Sequence, residues 1–230
     1  MFTLFDPMYW LIVGPTMLVA LWASFRVKST FLRFSNVGVR SGMTGAQAAA
    51  AVARAGGAEV TVELHQGFLS DHYDPRTRSL HLSPEVYNGR SVSSIAVAAH
   101  EAGHAIQHAQ GYKWLTFRSN MVPVVSIGSQ VWIWVFLAGL MLPKYGWLLE
   151  LGILIFGVTV VFQLITLPVE FDASNRAKAV LASSGIVSTP DEARGVSKVL
   201  GAAAMTYVAG ALTAIATLIY YLMLANRRND

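Results

Sequence analysis

The chain contains no cysteine, so no disulfide framework can hold it together; this fits a reducing compartment without requiring one. Charge is scarce as well. Only 13% of the 230 residues are charged against 54% hydrophobic, whereas charged residues make up about a quarter of an ordinary soluble domain. That balance argues against a soluble globular protein and for one solvated by a bilayer. No basic stretch precedes the first apolar window; Arg26, Lys28 and Arg33 follow it instead, so an anchor with its N-terminus outside is expected rather than a cleavable signal peptide. Aromatic and basic residues are not interleaved in a stacking pattern, and the net charge of +4 is not read as nucleic-acid binding. Internal repeats and low-complexity tracts are also missing.

What the chain does have is four apolar windows: Met8 to Phe25, Met121 to Leu142, Trp147 to Leu167, and about Gly201 to Ala225. Each is long enough to cross a hydrocarbon core, which takes about 20 helical residues. Glu150 is their one charged residue. The expected organisation is an anchor over residues 1–25, a water-facing segment over 26–120, a transmembrane hairpin over 121–168, a second water-facing segment over 169–200, and a last crossing with tail over 201–230. Of the 17 Lys and Arg, all but Lys144, Arg227 and Arg228 fall in the two water-facing segments. The positive-inside rule then puts both segments in the cytoplasm of a multi-pass protein of the cell (inner) membrane.

Local signals fill in these segments. Residues 26–42 are basic and read as an irregular linker on the anionic inner leaflet. Thr44 with Gln47 forms a capping box before an alanine-rich helix that stops at Gly56-Gly57. Val60 to Leu64 and Ser79 to Leu82 read as two strands of a short β-hairpin around the Asp74-Pro75 turn. A helix then runs from about Ser91 to Gln110, with Gly111 as its left-handed terminator. After Pro168 the run from Val169 to Ser184 has helical period and is stopped by Gly185. Thr189-Pro190-Asp191-Glu192 is a helix start with cap, proline and acidic first turn, and that helix is expected to continue into the fourth crossing.

The helix from Ser91 carries Val97-Ala98-Ala99-His100-Glu101-Ala102-Gly103-His104-Ala105-Ile106-Gln107, which contains His-Glu-x-x-His. Residues i and i+4 share a helix face, so both imidazoles can reach one zinc at about 2.0–2.1 Å and Glu101 can reach a zinc-bound water as general base. A catalytic zinc usually takes three protein ligands. Because two crossings separate His104 from residue 169, the segment 169–200 returns to the same side, and its acids are Glu170, Asp172, Asp191 and Glu192. Glu170, just past Pro168, is the favoured ligand by its depth. Asp172 stays open as ligand or as partner of a ligand, while Asp191 and Glu192 are accounted for as first-turn residues of a capped helix. His108 lies about 12 Å along the helix from His100, too far to share its metal, and His65, His72 and His81 read as surface residues.

These residues resemble the YugP-type membrane zinc metallopeptidases. The likeness rests on Val97 to Gln107, Leu167 to Ala177, Leu200 to Val208 and Asp71-His72-Tyr73-Asp74-Pro75, and covers nearly the whole chain. That group is similar to HtpX and the CAAX-prenyl endopeptidases, whose third ligand is the Glu of a Glu-Phe-x-Ala-Asp helix; carried over, this is Glu170. Ser174 stands where those relatives have the closing Asp, so an orienting carboxylate cannot come from that position. The resemblance also implies that Ser79 to Leu82 is an edge strand on which an extended substrate lies. Tyr207 has two readings: an oxyanion donor, as the matching run suggests, or an interfacial anchor.

The expectation is therefore a mainly α integral membrane protein. Four transmembrane helices would accompany a small α+β zincin-like cytoplasmic part with a short β-hairpin. It would hold one Zn2+ per chain by His100, His104 and Glu170, with Glu101 and Tyr207 as catalytic candidates. Its partners would be the lipid bilayer and a protein or peptide substrate, membrane-associated or misfolded, and no nucleic acid. Two rivals are a site-2-type intramembrane protease, disfavoured by the polar residues of the Ser91 to Gln110 helix, and a non-catalytic zinc-binding scaffold, disfavoured by Glu101.

Overall fold

A computed structural model describes residues 6–229. The elements are α1 (Pro7–Ser35), α2 (Gly45–Ala55), β1 (Thr61–Leu64), β2 (His72–Asp74), β3 (Ser79–Leu82), the single turn α3 (Pro84–Tyr87), α4 (Val92–Ala109), α5 (Lys113–Met141), α6 (Trp147–Ser183) and α7 (Pro190–Asn229). Four of them, α1, α5, α6 and α7, are long and apolar enough to cross a membrane. The chain divides into two compact units: residues 1–23, 117–167 and 206–230, and residues 24–116 and 168–205.

The first unit is built from apolar helices. Its core gathers Val13, Phe136, Leu149, Ile153, Phe156, Val160, Tyr220, Tyr221 and Ala225, with Trp132 tilted against both Phe156 and Tyr221. Small residues let α5 and α6 approach: a Cβ on Gly139 would lie 2.1 Å from Leu149 N, and one on Gly152 2.8 Å from the Phe136 backbone. This backbone proximity is how helices associate where lipid offers no hydrophobic drive. Leu11, Leu18, Leu21, Val124, Ile127, Trp134 and Leu154 stay exposed, as lipid-facing side chains would.

The second unit carries the sheet and α4. Its strand order is β1-β3-β2, with β1 parallel to β3 and β2 antiparallel to it. Two expectations are corrected here. Val60 to Leu64 does not form a hairpin with Ser79 to Leu82; the Asp74-Pro75 turn instead joins β3 to the three-residue β2, which is too short to leave an alternating pattern. In that turn Asp74 Oδ1 accepts from Arg76 N at 2.8 Å, and Arg78 takes a positive φ of 54°. Nor is Ser79 to Leu82 an edge: both its sides are paired, so no substrate strand can add there.

Leu80 and Leu82 of β3 bury against a core that includes Val52 of α2, Ile95 and Ile106 of α4, Leu181 of α6 and Val196 of α7. α2 starts at the expected capping box, Gln47 N donating to Thr44 Oγ1 and Thr44 N to Gln47 Oε1. Residues 26–35 are not an irregular linker but the continuation of α1, and Phe31 at their centre is 3% exposed in this core. α6 likewise runs through Pro168 instead of ending there, and α7 continues into the last apolar window without a break.

Candidate metal centre

α4 begins at Ser91, whose hydroxyl accepts from Ser94 N. It ends before Gly111, which adopts φ +63° as a left-handed terminator. Nearly every residue from Val92 to Gln107 is buried. A helix buried all round must meet neighbours on every side, and the alanines with Gly103 make that possible. A Cβ on Gly103 would fall 2.4 Å from the Ala173 carbonyl oxygen, so α4 and α6 touch backbone to backbone at this point.

This crossing brings Glu170 to the two histidines. Glu170 Oε2 lies 3.2 Å from His100 Nε2 and 3.6 Å from His104 Nε2, and the donor atoms of the three residues all fall within 4.8 Å of one another. Two ligands about 2.0–2.1 Å from one tetrahedral zinc stand about 3.4 Å apart. The spacing therefore fits a shared ion, and two imidazoles with one carboxylate is a donor set of catalytic zinc sites. Among the described residues this is the group of His, Asp and Glu side chains that meets such a spacing.

The second nitrogen of each imidazole is held. His100 Nδ1 is 3.0 Å from Ser174 Oγ, and His104 Nδ1 is 3.0 Å from Gln107 Oε1. With a metal bound, Nδ1–H donating to these oxygens would leave each Nε2 lone pair for the ion. Gln107 is fixed in turn, its Nε2 donating to the Val169 carbonyl and to Asp172 Oδ2, both at 2.8 Å. Asp172 also accepts from Arg176 Nε, and Arg176 reaches Gln110 Oε1. Asp172 is thus neither ligand nor direct histidine partner; it orients His104 through Gln107. Ser174, discounted because it is no carboxylate, supplies the partner of His100 with its hydroxyl. Spacing could have pointed to both, since Gln107 follows His104 by three residues and Ser174 follows Glu170 by four.

Burial and charge set the ionisation of the site. In the metal-free protein burial alone would raise the Glu170 carboxyl, but hydrogen bonds from Nε2–H of His100 and His104 outweigh it and hold Glu170 far below the usual range. Glu101 moves the other way: burial pushes its carboxyl up, against the pull of His100 and His104 and with repulsion from Glu170 and Asp71. Two neighbouring carboxyls driven apart in this way suit one for holding a cation and the other for carrying a proton. Asp71 is fastened by Ser83, whose N donates to Asp71 Oδ1 at 2.7 Å.

Tyr207 sits in α7 within the apolar unit, half-buried. His108 accepts or donates at 2.7 Å with Tyr73 Oη and lines a cavity of about 320 Å³ with Arg78 and Glu59. Glu192 acts as the capping residue expected of it, taking Thr189 N at 3.1 Å while Thr189 Oγ1 takes Glu192 N at 3.2 Å.

The family model described as "Putative neutral zinc metallopeptidase" matches residues 9–226. The chain is also similar to the protein named "Putative membrane protease YugP" of Bacillus subtilis (strain 168), at 47% identity over 207 residues, covering 90% of this chain and 91% of that one. No solved structure matches it. The match runs from the first apolar helix into the last and spans every residue that converges on the His100, His104 and Glu170 centre, so the chain belongs to the family described as "Putative neutral zinc metallopeptidase".

Proposed function

We propose that this protein is a zinc-dependent endopeptidase of the cell membrane that hydrolyses peptide bonds of membrane-associated or misfolded polypeptides, with its active site facing the cytoplasm. The observation that carries the reading is the convergence of His100 and His104 of α4 with Glu170 of α6, next to a buried Glu101 that none of them needs as a ligand. When bound, zinc supplies a Lewis acid that polarises the scissile carbonyl and makes water acidic enough to attack near neutral pH. Ser174 and Gln107 keep both Nε2 atoms unprotonated and aimed. Glu170 contributes a permanent negative charge. Glu101, raised by burial towards the working pH, takes a proton from the attacking water and returns it to the leaving amine. The family resemblance implies Tyr207 as a hydrogen-bond donor to the developing oxyanion.

A site in the middle of the hydrocarbon is disfavoured because α4 is not among the four membrane-length helices and packs against a sheet. A scaffold with no chemistry would need the ligands but not Glu101. Glu101→Gln is therefore the test, measured for zinc content and for cleavage of an unfolded membrane polypeptide. Zinc should be retained while turnover falls by about 10²–10⁴-fold, the range for losing a general base. Unchanged turnover would remove Glu101 from its role. In the same assay Tyr207→Phe should lower turnover with zinc content intact, and a wild-type rate would return Tyr207 to an anchoring role.

A further inference from the structure

The sheet of the second unit presents its outer face with an unusual density of imidazole. Along β3 the side chains alternate, Leu80 and Leu82 to the core and His81 to the other face. The register then sets His72 of β2 directly opposite His81, and Glu63 of β1 opposite it on the other side. His65 follows β1, tied to the sheet by its N donating to the Leu82 carbonyl at 2.7 Å. The ring centroids are 4.8 Å apart for His72 and His81, 5.2 Å for His65 and His72, and 5.9 Å for His65 and His81. None of the three takes part in the His100, His104 and Glu170 centre, and their ligand atoms stand wider apart than the 4.8 Å spacing met there.

We propose that His65, His72 and His81, together with Glu63, form a second zinc site. The hydrogen-bond partners are compatible with a free donor atom on two of the rings. His72 Nδ1 donates to the Ser70 carbonyl at 2.9 Å, leaving Nε2 with its lone pair. His81 Nε2 is 2.8 Å from Ser79 Oγ, and Ser79 Oγ is 2.5 Å from Thr77 Oγ1. Donation along that chain, from His81 to Ser79 to Thr77, frees His81 Nδ1, which faces Glu63 Oε2 at 3.8 Å. Three imidazoles and one carboxylate suit zinc and not the oxygen-seeking magnesium or calcium. His72 and His81 lie nearly parallel, at 19°, so coordination turns the rings about their side-chain bonds. The solvent face permits this, since His65 and His72 are exposed and His81 is half-buried. An ion held there pins β1, β3 and β2 together through one residue or more from each. Ring movement and solvent exposure make it the weaker of the two sites.

The test is zinc stoichiometry on the full-length protein in detergent, stripped with chelator and dialysed against micromolar zinc chloride. Wild type should hold two ions per chain. The double variants His72→Gln/His81→Gln and His65→Gln/His72→Gln should hold one each, the second pair lying on the exposed face of the sheet. His100→Gln/His104→Gln should also hold one. One ion in wild type with none in the His100/His104 variant overturns the second site, as do two ions that persist in both sheet variants. A His100/His104 variant that binds as much zinc as wild type would instead defeat the assignment of the α4 centre, so the two failures are distinguishable.

Discussion

At the scale of single residues, the centre depends on hydrogen bonds one step behind the ligands. Ser174 Oγ is the partner that fixes the His100 ring, and replacing such a partner costs about 10–100-fold in metal affinity. Ser174→Ala should therefore bind zinc about 10-fold more weakly, and Ser174→Asp, which puts a carboxylate at this position, should bind at least as tightly as wild type. Equal affinity in all three proteins, measured by competition with a chelating dye, would make the Ser174 contact incidental. His100, Glu101 and His104 were readable from sequence because a helix alone fixes their geometry: i and i+4 share a face whatever surrounds them. Glu170 was readable because two crossings return its segment to the same side. Ser174 was not assigned because its partner His100 becomes visible only when α4 and α6 meet at Gly103 and Ala173, whereas Gln107 lies three residues from His104 and was open to assignment by spacing. His65, His72 and His81 were read as separate surface residues, because they are neighbours through strand register and not through spacing.

Among the elements, signals confined to one or two turns were legible and those needing a distant partner were not. The capping boxes at Thr44 and Thr189 and the left-handed glycines 111 and 185 form as expected. The parallel pairing of β1 with β3 could not be read, because a four-residue strand does not encode which neighbour it takes. The extension of α1 past Phe25 was equally hidden, since Phe31 needs a core to bury in before its basic flanks read as helix. Glu192 shows how a local cap acquires a long-range role: its Oε1 also accepts from Arg40 N at 2.7 Å, joining the chain before α2 to the start of α7. Burial would raise this carboxyl, but the backbone donors of Arg40, Ser188 and Thr189 outweigh it and hold it low. A carboxyl lowered on folding stabilises the protein above its unfolded pKa and loses that contribution as pH falls through the folded value. Glu192→Gln should accordingly lower stability by about 1–3 kcal/mol at neutral pH, with the gap to wild type closing below about pH 4; a gap independent of pH in denaturation curves would show that the charge is not responsible. Gly103→Ala makes the complementary point about packing. Its Cβ collides with the Ala173 carbonyl, so about 1–3 kcal/mol of overpacking should appear as a lower melting temperature together with weaker zinc binding, because the same shift moves Glu170 away from both histidines. A variant that melts lower yet binds zinc normally would separate the crossing from the site.

For the molecule as a whole, the decisive property is parity. His100 and His104 precede α5, and Glu170 follows the apolar stretch of α6, yet their donor atoms lie 3.2–3.6 Å apart. An even number of crossings must therefore separate them, and α5 and α6 provide two if both span the bilayer. Parity leaves the absolute side open, and only the distribution of Lys and Arg speaks to it. With Lys144, Arg227 and Arg228 as the sole basic residues outside the two hydrophilic segments, those segments are expected in the cytoplasm. The lack of native cysteine allows a background-free test, since any introduced thiol is the only one present. Lys144→Cys, between α5 and α6, should react with a membrane-impermeant maleimide on intact spheroplasts. Arg76→Cys, in the exposed turn between β2 and β3, should react only after the membrane is opened. The reverse pattern would keep the site whole but turn it outward, changing the pool of polypeptides it can reach. Labelling of both positions from one side would mean that α5 does not cross, and would remove the two-crossing route by which Glu170 returns to the histidines.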